Sequence, residues 1–222
     1  MIKALIFDFD GTIIDTETAW YAAFREAYQQ YEVELTLEMY SRCIGTSLHV
    51  FNPYEYLMTD LGLPIDKESF ASAVRVRHAE LMSREQVRPG VADYLEQARE
   101  RGLKIGLATS SKRDWIDEHM ERLGIGHYFE CISTADDVAR VKPDPELYLR
   151  TLAGLGVEAH EAVALEDSPN GAKAAVAAGI PCVLAPNEIT WTLAFPSEGI
   201  LCRVNRLSEL AFETLVTEAS GV

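Results

Sequence analysis

The sequence predicts an α/β fold, a three-layer Rossmann-like parallel sheet core with an inserted all-helical cap domain. Residues 2–7 form an apolar run that is typical of a strand buried on both faces. After residue 86, short apolar segments alternate with amphipathic helical segments, as they do in doubly wound sheets. Residues 16–86 show helical periodicity and no strand pattern. This helical segment therefore interrupts a single α/β domain.

The same patterns give the domain boundaries. We expect residues 1–15 and 87–222 to form the α/β core and residues 16–86 to form the helical cap. The stretch 86–90 contains Pro89 and Gly90, which together mark a break in the chain. We find no internal repeat that would suggest a different organisation.

Caps and periodicity justify the individual elements in chain order. Asp15 or Thr16 can cap a first helix to about residue 31, on which Trp20, Phe24 and Tyr28 share one apolar face. Further cap helices are predicted at residues 36–43, 47–61 and 67–83. In the core, helices are predicted at 91–101, from 110 or 111 to 123, at 145–155, at 169–178 and from about 208. Core strands are predicted at 103–109, 131–134, 162–165, 182–184 and 200–204.

Composition excludes several classes of function. The 222 residues suffice for one domain with a sizeable insertion, and 48% hydrophobic with 25% charged residues is ordinary for a globular protein. The net charge of −15 argues against binding to nucleic acid or to an anionic membrane surface. It does not exclude anionic substrates, because a bound cation can reverse the local field.

The spacing of the cysteines and histidines and the length of the uncharged stretches indicate the cellular location. The four cysteines and five histidines lack the spacing of a zinc site or a disulfide framework. The longest uncharged stretch, residues 174–187, contains glycine and proline and is too short to span a membrane. We therefore expect a cytoplasmic protein with reduced thiols.

The first strand ends in an acidic turn. Asp8 and Asp10 are two residues apart and would share one face of a strand, with Gly11 and Thr12 following in a turn. Two carboxylates at the end of a buried strand are costly unless a positive charge compensates them. The pattern indicates a divalent cation, a nucleophile or both, whereas the alternative is a polar strand end that is simply solvated.

Two further segments carry candidate anion-binding groups. Thr109, Ser110 and Ser111 follow a strand where a helix is predicted to begin, and helix N-termini favour anions, although Ser and Thr are also common helix caps. Lys142 precedes a helix in which Pro145 suits the first position. Taken by itself, the pattern at Lys142 favours a solvated loop residue, because most lysines beside a loop are solvated.

A second acidic pair follows the strand at 162–165. Glu166 and Asp167 precede Ser168, a candidate helix cap, and Pro169. Because ligands bind outside the carboxyl ends of strands in open α/β sheets, both acidic pairs are expected at one edge of the sheet. Mg²⁺ prefers a few carboxylates, several waters and phosphate oxygens, so this edge is a candidate magnesium site.

These segments together resemble the four motifs of the haloacid dehalogenase-like superfamily. The helical insertion is similar to the cap of its β-phosphoglucomutase-like and phosphoglycolate-phosphatase-like group. The resemblance covers nearly the whole chain and rests on Asp8-Phe9-Asp10-Gly11-Thr12, Thr109, Lys142 and Glu166-Asp167.

The resemblance implies a role for each core motif. Asp8 would be the nucleophile that forms an aspartyl-phosphate, and Asp10 the acid that protonates the leaving oxygen and then activates water. Thr109 and Lys142 would hold the transferring phosphoryl group. The residues implied as further phosphate contacts are Gly11, Thr12 and Ser110.

The resemblance also implies Mg²⁺ as the cofactor. Asp8, the backbone carbonyl of Asp10 and Asp167 would hold the ion, and Glu166 would orient a bound water. Dehalogenase relatives lack an acid at the position of Asp10 and work without metal. The presence of Asp10 therefore disfavours cleavage of a carbon–halogen bond.

The leading hypothesis is a Mg²⁺-dependent phosphatase acting on a small phosphorylated metabolite such as a sugar phosphate. A sugar phosphomutase is the alternative. Trp20 and Leu48 stand where mutase relatives carry a histidine and an arginine, and His49 and Arg75 lie nearby and could substitute for them. Phosphonate hydrolysis is disfavoured because the chain has no lysine between Lys3 and Lys67. A non-catalytic binding member is a third hypothesis, since a fold alone does not imply function.

Substrate choice is expected to depend on the cap. The candidates there are Thr16, Trp20, Thr46, Ser47, His49, Arg75 and Arg77, of which the two arginines could equally belong to a solvated helix face. We expect a monomer or a weak homodimer whose partner is a small phosphorylated metabolite.

Overall fold

The computed structural model describes residues 1–44 and 51–219, which form two compact units. The first unit comprises Met1–Asp15, Gln86–Asn187 and the residues from Trp191 onward. The second comprises Thr16–Glu85 together with Glu188–Thr190. The three residues 188–190, which lie more than 100 positions beyond the helical segment, carried no sequence signal for this placement.

The first unit is built on a parallel sheet, which confirms the predicted α/β fold class. The strands of the described residues are β1 (Ala4–Phe7), β2 (Lys104–Ala108), β3 (Cys131–Ser133), β4 (Ala162–Glu166), β5 (Cys182–Leu184) and β6 (Ile200–Arg203). They pair in the order β3-β2-β1-β4-β5-β6, all parallel. The order reverses next to β1, and ligands in such sheets bind outside the strand ends at this point.

Helices make up the second unit and flank the sheet of the first. In the described residues they are α1 (Thr16–Gln29), α2 (Leu37–Ser41), α3 (Tyr56–Thr59), α4 (Lys67–Met82), α5 (Val91–Glu100), α6 (Arg113–Leu123), α7 (Glu146–Leu155), α8 (Pro169–Ala177) and α9 (Phe212–Ala219). No helix among residues 1–44 and 51–219 has both the length and the apolar character needed to cross a bilayer.

The sheet core is formed by strands that are buried along their whole length. Every residue of β1 and of β4 is buried, as the continuous apolar runs predict. Leu147, Tyr148 and Leu152 of α7 pack with the alanines of β4 and α8 in one cluster. Helix α7 therefore lies directly on the central strands, and its first turn is near their carboxyl ends.

The helical unit has an aromatic core of its own. Phe24 and Tyr28 of α1 pack with Phe70 of α4 in one buried cluster that also includes Ile189. The hydroxyl of Tyr28 donates to the carbonyl oxygen of Pro53 at 2.8 Å, which satisfies its polar end. The apolar face predicted for the first helix is thus a core face.

Some predicted boundaries are wrong. The helix expected from Ser110 or Ser111 begins at Arg113, with Lys112 as its N-cap. The final helix begins at Phe212 instead of 208, after a 3-10 turn at Leu207–Glu209. The predicted helix at 47–61 lies partly outside the described residues, and within them only Tyr56–Thr59 is α-helical.

Arg88 ties the acidic turn after β1 to two other loops of the first unit. Its guanidinium donates to the carbonyl oxygen of Gly11, and to those of Ala185 at 2.7 Å, Pro186 at 3.2 Å and Asn205 at 3.3 Å. A guanidinium carries five N–H donors, so one side chain can satisfy several carbonyl groups of different loops. The turn that carries Asp10 is therefore held by the segment that leads into α5.

We expect Arg88→Ala to lower the free energy of unfolding by about 2–3 kcal/mol, because several partly buried carbonyl groups lose a charged donor. Urea denaturation followed by circular dichroism measures the change. The control is Arg140→Ala, which removes a 77% exposed arginine side chain from a 3.0 Å ion pair with Asp144 and should stay within about 0.5 kcal/mol of wild type. Equal losses in both variants would contradict the role assigned to Arg88.

Candidate active site

The register of the sheet brings the predicted strand-end residues together. Phe7 pairs with Leu107 of β2 and with Leu165 of β4. The residues that follow these three positions therefore lie side by side at the carboxyl edge. The backbone N–H of Asp8 donates to the carbonyl oxygen of Leu165 at 3.0 Å, which extends the β1–β4 pairing by one residue.

Lys142 joins the two acidic segments. Its Nζ donates to Asp8 Oδ1 at 2.5 Å and to Glu166 Oε1 at 2.6 Å, and only 5% of its side chain is exposed. Burial opposes its charge, but the Asp8 and Glu166 carboxylates raise the pKa of Lys142 above its usual range. The ammonium is therefore charged at neutral pH and is a fixed part of the site.

The loop after Lys142 is held by the start of α7. The helix begins at Glu146, one residue later than predicted, with Pro145 as its N-cap. The Asp144 carboxylate accepts the backbone N–H of Glu146 at 3.1 Å. This local hydrogen bond, together with Pro143 and Pro145, restricts the backbone that positions the Lys142 side chain.

Glu166 is surrounded by hydrogen-bond donors. Its Oε1 accepts from Lys142 and, at 2.7 Å, from the hydroxyl of Tyr148. Its Oε2 accepts from the backbone N–H of Asp167 at 3.2 Å and from Ser168 Oγ at 3.3 Å. A carboxylate has about four acceptor positions, so these contacts occupy its capacity. Glu166 therefore positions Lys142 within this arrangement.

Tyr148 was not among the residues singled out from the sequence. It is completely buried, and its ring lies 5.1 Å from Lys142 Nζ. A tyrosine in an apolar helix face usually signals only core packing. The available clue was its position in the first turn of the helix that follows Lys142.

Asp10 has a separate set of partners. Its Oδ2 accepts from Ser111 Oγ at 2.6 Å and its Oδ1 from Trp115 Nε1 at 3.1 Å. Burial raises the pKa of Asp10, while these two hydrogen bonds act in the opposite direction. Ser111 thus binds a side chain of the β1 turn instead of starting α6. Trp115, like Tyr148, is a site residue that the sequence analysis missed.

The acidic cluster fits a divalent cation. Carboxylate oxygens of Asp8, Glu166 and Asp167 lie within 4.8 Å of one another, and all three residues are buried. Burial raises the pKa of Asp8, although the Lys142 ammonium opposes this change. A single lysine cannot balance these carboxylates, and oxygen ligands at such spacing suit a divalent cation.

Gly11 is required where the β1 turn meets this cluster. Its φ of +87° lies in a region that favours glycine, and a Cβ there would overlap the Asp167 carboxylate. Thr12 is buried, and its hydroxyl has no hydrogen-bond partner among the described residues. The turn therefore approaches the β4 end more closely than any larger residue would allow.

Thr109 and Ser110 follow β2 at the same edge. Thr109 is 1% exposed and its hydroxyl accepts the backbone N–H of Ser111 at 3.0 Å. Its own N–H donates to the carbonyl oxygen of Ser133 at 3.0 Å. Ser110, the next residue, is exposed.

The cap candidates belong to the helical unit. Thr16 is buried at the start of α1, Trp20 stacks on His78 with ring centroids 3.6 Å apart, and Arg75 is exposed on α4. Arg77 pairs with Glu26 at 2.7 Å, as a structural helix-face residue would. Candidates Thr46, Ser47 and His49, and the position of Leu48, lie outside the described residues.

The fold and the site define an α/β enzyme with carboxylates and a lysine at the ends of its central strands. The family model described as haloacid dehalogenase-like hydrolase matches residues 5–185, and the chain belongs to this family. This confirms the superfamily suggested by the motifs.

Individual relatives agree with this assignment. A Bacillus subtilis protein named "Putative phosphatase YhcW" is 47% identical over 195 residues, covering 88% of each chain. The Thermotoga maritima "Phosphorylated carbohydrates phosphatase" is 33% identical over 81% of this chain and 82% of its own. A crystal structure titled "putative beta-phosphoglucomutase", also from Thermotoga maritima, has a TM-score of 0.78 at 29% identity and covers 98% of this chain and 99% of that one. The family and these phosphatase names agree with the predicted enzyme class.

Gly171→Ala tests the packing around Glu166. An alanine normally stabilises a helix interior relative to glycine by about 0.5–1 kcal/mol. Here a Cβ would overlap the Glu166 carboxylate, which would have to move away from Lys142. We therefore expect a lower free energy of unfolding and a lower hydrolysis rate.

The matched control is Gly126→Ala, because the nearest atom to a Cβ there is 3.7 Å away, in Met120. This variant should keep wild-type activity and stability, as measured by urea denaturation and hydrolysis rate. A stabilised, fully active Gly171→Ala enzyme would disprove the close packing of α8 against Glu166.

Proposed function

We propose that this hydrolase is a Mg²⁺-dependent phosphatase that cleaves phosphomonoesters of small metabolites, with sugar phosphates as the main class. The observation that carries the proposal is the buried Asp8 carboxylate, held by Lys142 at 2.5 Å within an acidic cluster at the ends of β1 and β4. The names of the Bacillus and Thermotoga phosphatases support the reaction, and the second of them supports the substrate class.

In the first half of the proposed reaction, Asp8 attacks phosphorus. A bond forms between its carboxylate oxygen and phosphorus while the bond from phosphorus to the ester oxygen breaks. Asp10 gives its proton to the departing oxygen, so the product leaves as an alcohol. Lys142 and the polar groups at Thr109 and Ser110 compensate the negative charge of the phosphoryl oxygens.

In the second half, water attacks the phosphorus of the aspartyl-phosphate. Asp10, now ionised, accepts a proton from this water, and the bond from phosphorus to the Asp8 oxygen breaks. Inorganic phosphate leaves and the Asp8 carboxylate is restored. Asp10 therefore returns to its protonated form, and the enzyme is ready for the next cycle.

The proposed metal ligands are the side chains of Asp8 and Asp167 and the backbone carbonyl of Asp10. When bound, Mg²⁺ would supply charge compensation for the phosphoryl group and for the clustered carboxylates. Glu166 was expected to orient a metal-bound water. Its carboxylate accepts four hydrogen bonds, one of them from Lys142, and the other three fix its position. These contacts support a main role in holding Lys142.

A sugar phosphomutase is the second candidate. The fold neighbour from Thermotoga maritima carries that name, which favours this activity. Against it, the chain has Trp20 where mutase relatives are expected to have a histidine. We further propose that the cap expected from the sequence, residues 16–86, selects the substrate through Thr16, Trp20 and Arg75. We also propose that the enzyme acts in the cytoplasm as a monomer or weak homodimer.

Asp8→Asn should lower turnover of sugar phosphates by about a thousandfold or more, because an amide cannot serve as the nucleophile. Asp10→Asn should slow both half-reactions, by about a hundredfold or more. Phosphate release from a panel of sugar phosphates measures both effects. The control is Asp117→Asn, the same change at a side chain of α6 that is 61% exposed, which should keep wild-type turnover.

Removal of divalent cations with a chelator should abolish turnover, and added Mg²⁺ should restore it, because the acidic cluster is then compensated again. Isothermal titration of Mg²⁺ into wild type and Asp167→Asn gives an independent measure of the site, and the variant should bind more weakly. Full turnover in chelator would disprove the metal requirement. Isomerisation of β-glucose 1-phosphate without phosphate release would favour the mutase.

A further inference from the structure

The two oxygens of Asp10 are held by donors of different kinds. Trp115 Nε1 donates to Oδ1 at 3.1 Å, and Ser111 Oγ donates to Oδ2 at 2.6 Å. Ser111 lies between β2 and α6 and Trp115 lies in the first turn of α6, and both are more than 100 positions from Asp10 in the sequence. Helix α6 therefore supplies a direct contact to the carboxyl group that exchanges protons in the proposed reaction.

The two donors differ in what they can do when Asp10 is protonated. An indole N–H can only donate, so it requires an oxygen with a free lone pair. A serine hydroxyl can rotate and either donate or accept. A proton on Oδ1 would oppose the Trp115 N–H, whereas a proton on Oδ2 could be accepted by Ser111. The arrangement thus makes the two carboxyl oxygens inequivalent.

The Trp115 ring is itself firmly held. The ring of His119, which is 3% exposed, has its centroid 3.9 Å from that of Trp115. His119 Nδ1 lies 2.9 Å from the carbonyl oxygen of Trp115, and because a carbonyl only accepts, this nitrogen is the donor. The ring of His119 also makes a T-shaped contact with that of Phe9, the residue between Asp8 and Asp10, with the ring centroids 6.3 Å apart. The indole is therefore fixed against the turn that carries Asp10.

We propose that Trp115 is a positioning residue for proton transfer by Asp10. Its N–H holds Oδ1 as a permanent acceptor and leaves Oδ2, beside Ser111, as the oxygen that carries the proton. In the first half-reaction the bond between this proton and Oδ2 breaks as the ester oxygen takes the proton. In the second half-reaction, Oδ2 accepts a proton from the attacking water. This inference rests on the proposed phosphatase mechanism and adds a residue to it.

The test is the dependence of the first half-reaction on the leaving group in Trp115→Phe. An alkyl phosphate such as glucose 6-phosphate needs a proton on its departing oxygen, whereas p-nitrophenyl phosphate releases a stable anion without one. Single-turnover measurements should show the alkyl ester slowed by about tenfold or more, with p-nitrophenolate release within about twofold of wild type. KM for both esters should stay unchanged, because the proposed role of Trp115 is to hold Asp10 and not to bind the substrate.

A second variant separates the loss of the N–H donor from the loss of ring packing. Replacing Trp115 by benzothienylalanine keeps the bicyclic ring and exchanges the N–H for sulfur, and it should give the same selective loss. The control is Trp191→Phe, since Trp191 stacks on Arg203 with the guanidinium 4.1 Å from its ring, and it should match wild type with both esters.

Three results would overturn the role of Trp115. These are an equal loss with both esters, no loss with either, or a faster reaction, which would mean that Trp115 restrains Asp10. Asp8→Asn and Asp10→Asn are measured in the same series. If Asp8→Asn is inactive and Asp10→Asn is selectively slow with the alkyl ester, the proposed phosphatase mechanism stands independently of the result at position 115.

Discussion

The bridge made by Lys142 between Asp8 and Glu166 is the interaction on which the rest of the site depends. Three buried charged groups meet at distances of 2.5 and 2.6 Å, and removing Lys142 would leave two buried carboxylates without their positive partner. The bridge also connects the ends of β1 and β4, where the strand order reverses. One contact therefore joins the chemistry of the site to the topology of the sheet.

Close approach of backbone segments makes this arrangement possible. Gly11 lets the β1 turn reach Asp167, and Gly171 lets the first turn of α8 lie against Glu166. Arg88 then holds the Gly11 carbonyl together with the loops after β5 and β6. The two glycines and Arg88 therefore allow the carboxylates at the strand ends to lie close together. A cluster of buried carboxylates needs a compensating cation.

Much of the fold could be predicted because local signals agreed with one another. The apolar runs of β1 and β4, the helix cap Ser168 and the alternation of strands with helices all have local causes. The start of α6 was mispredicted for a physical reason. Ser111 has the side chain of a helix cap, but its hydroxyl binds Asp10 from a distant turn, and a tertiary contact of this kind leaves no local pattern.

The sequence by itself determined the α/β class, the helical insertion and the polar residues at the strand ends, because periodicity and turn chemistry are properties of neighbouring residues. Only the tertiary structure decided which side chains form hydrogen bonds to those residues. Tyr148 and Trp115 look like ordinary core aromatics in the sequence, and their polar atoms became part of the site through contacts to Glu166 and Asp10. A hydrogen bond between residues far apart in the chain depends on packing, which no single segment encodes.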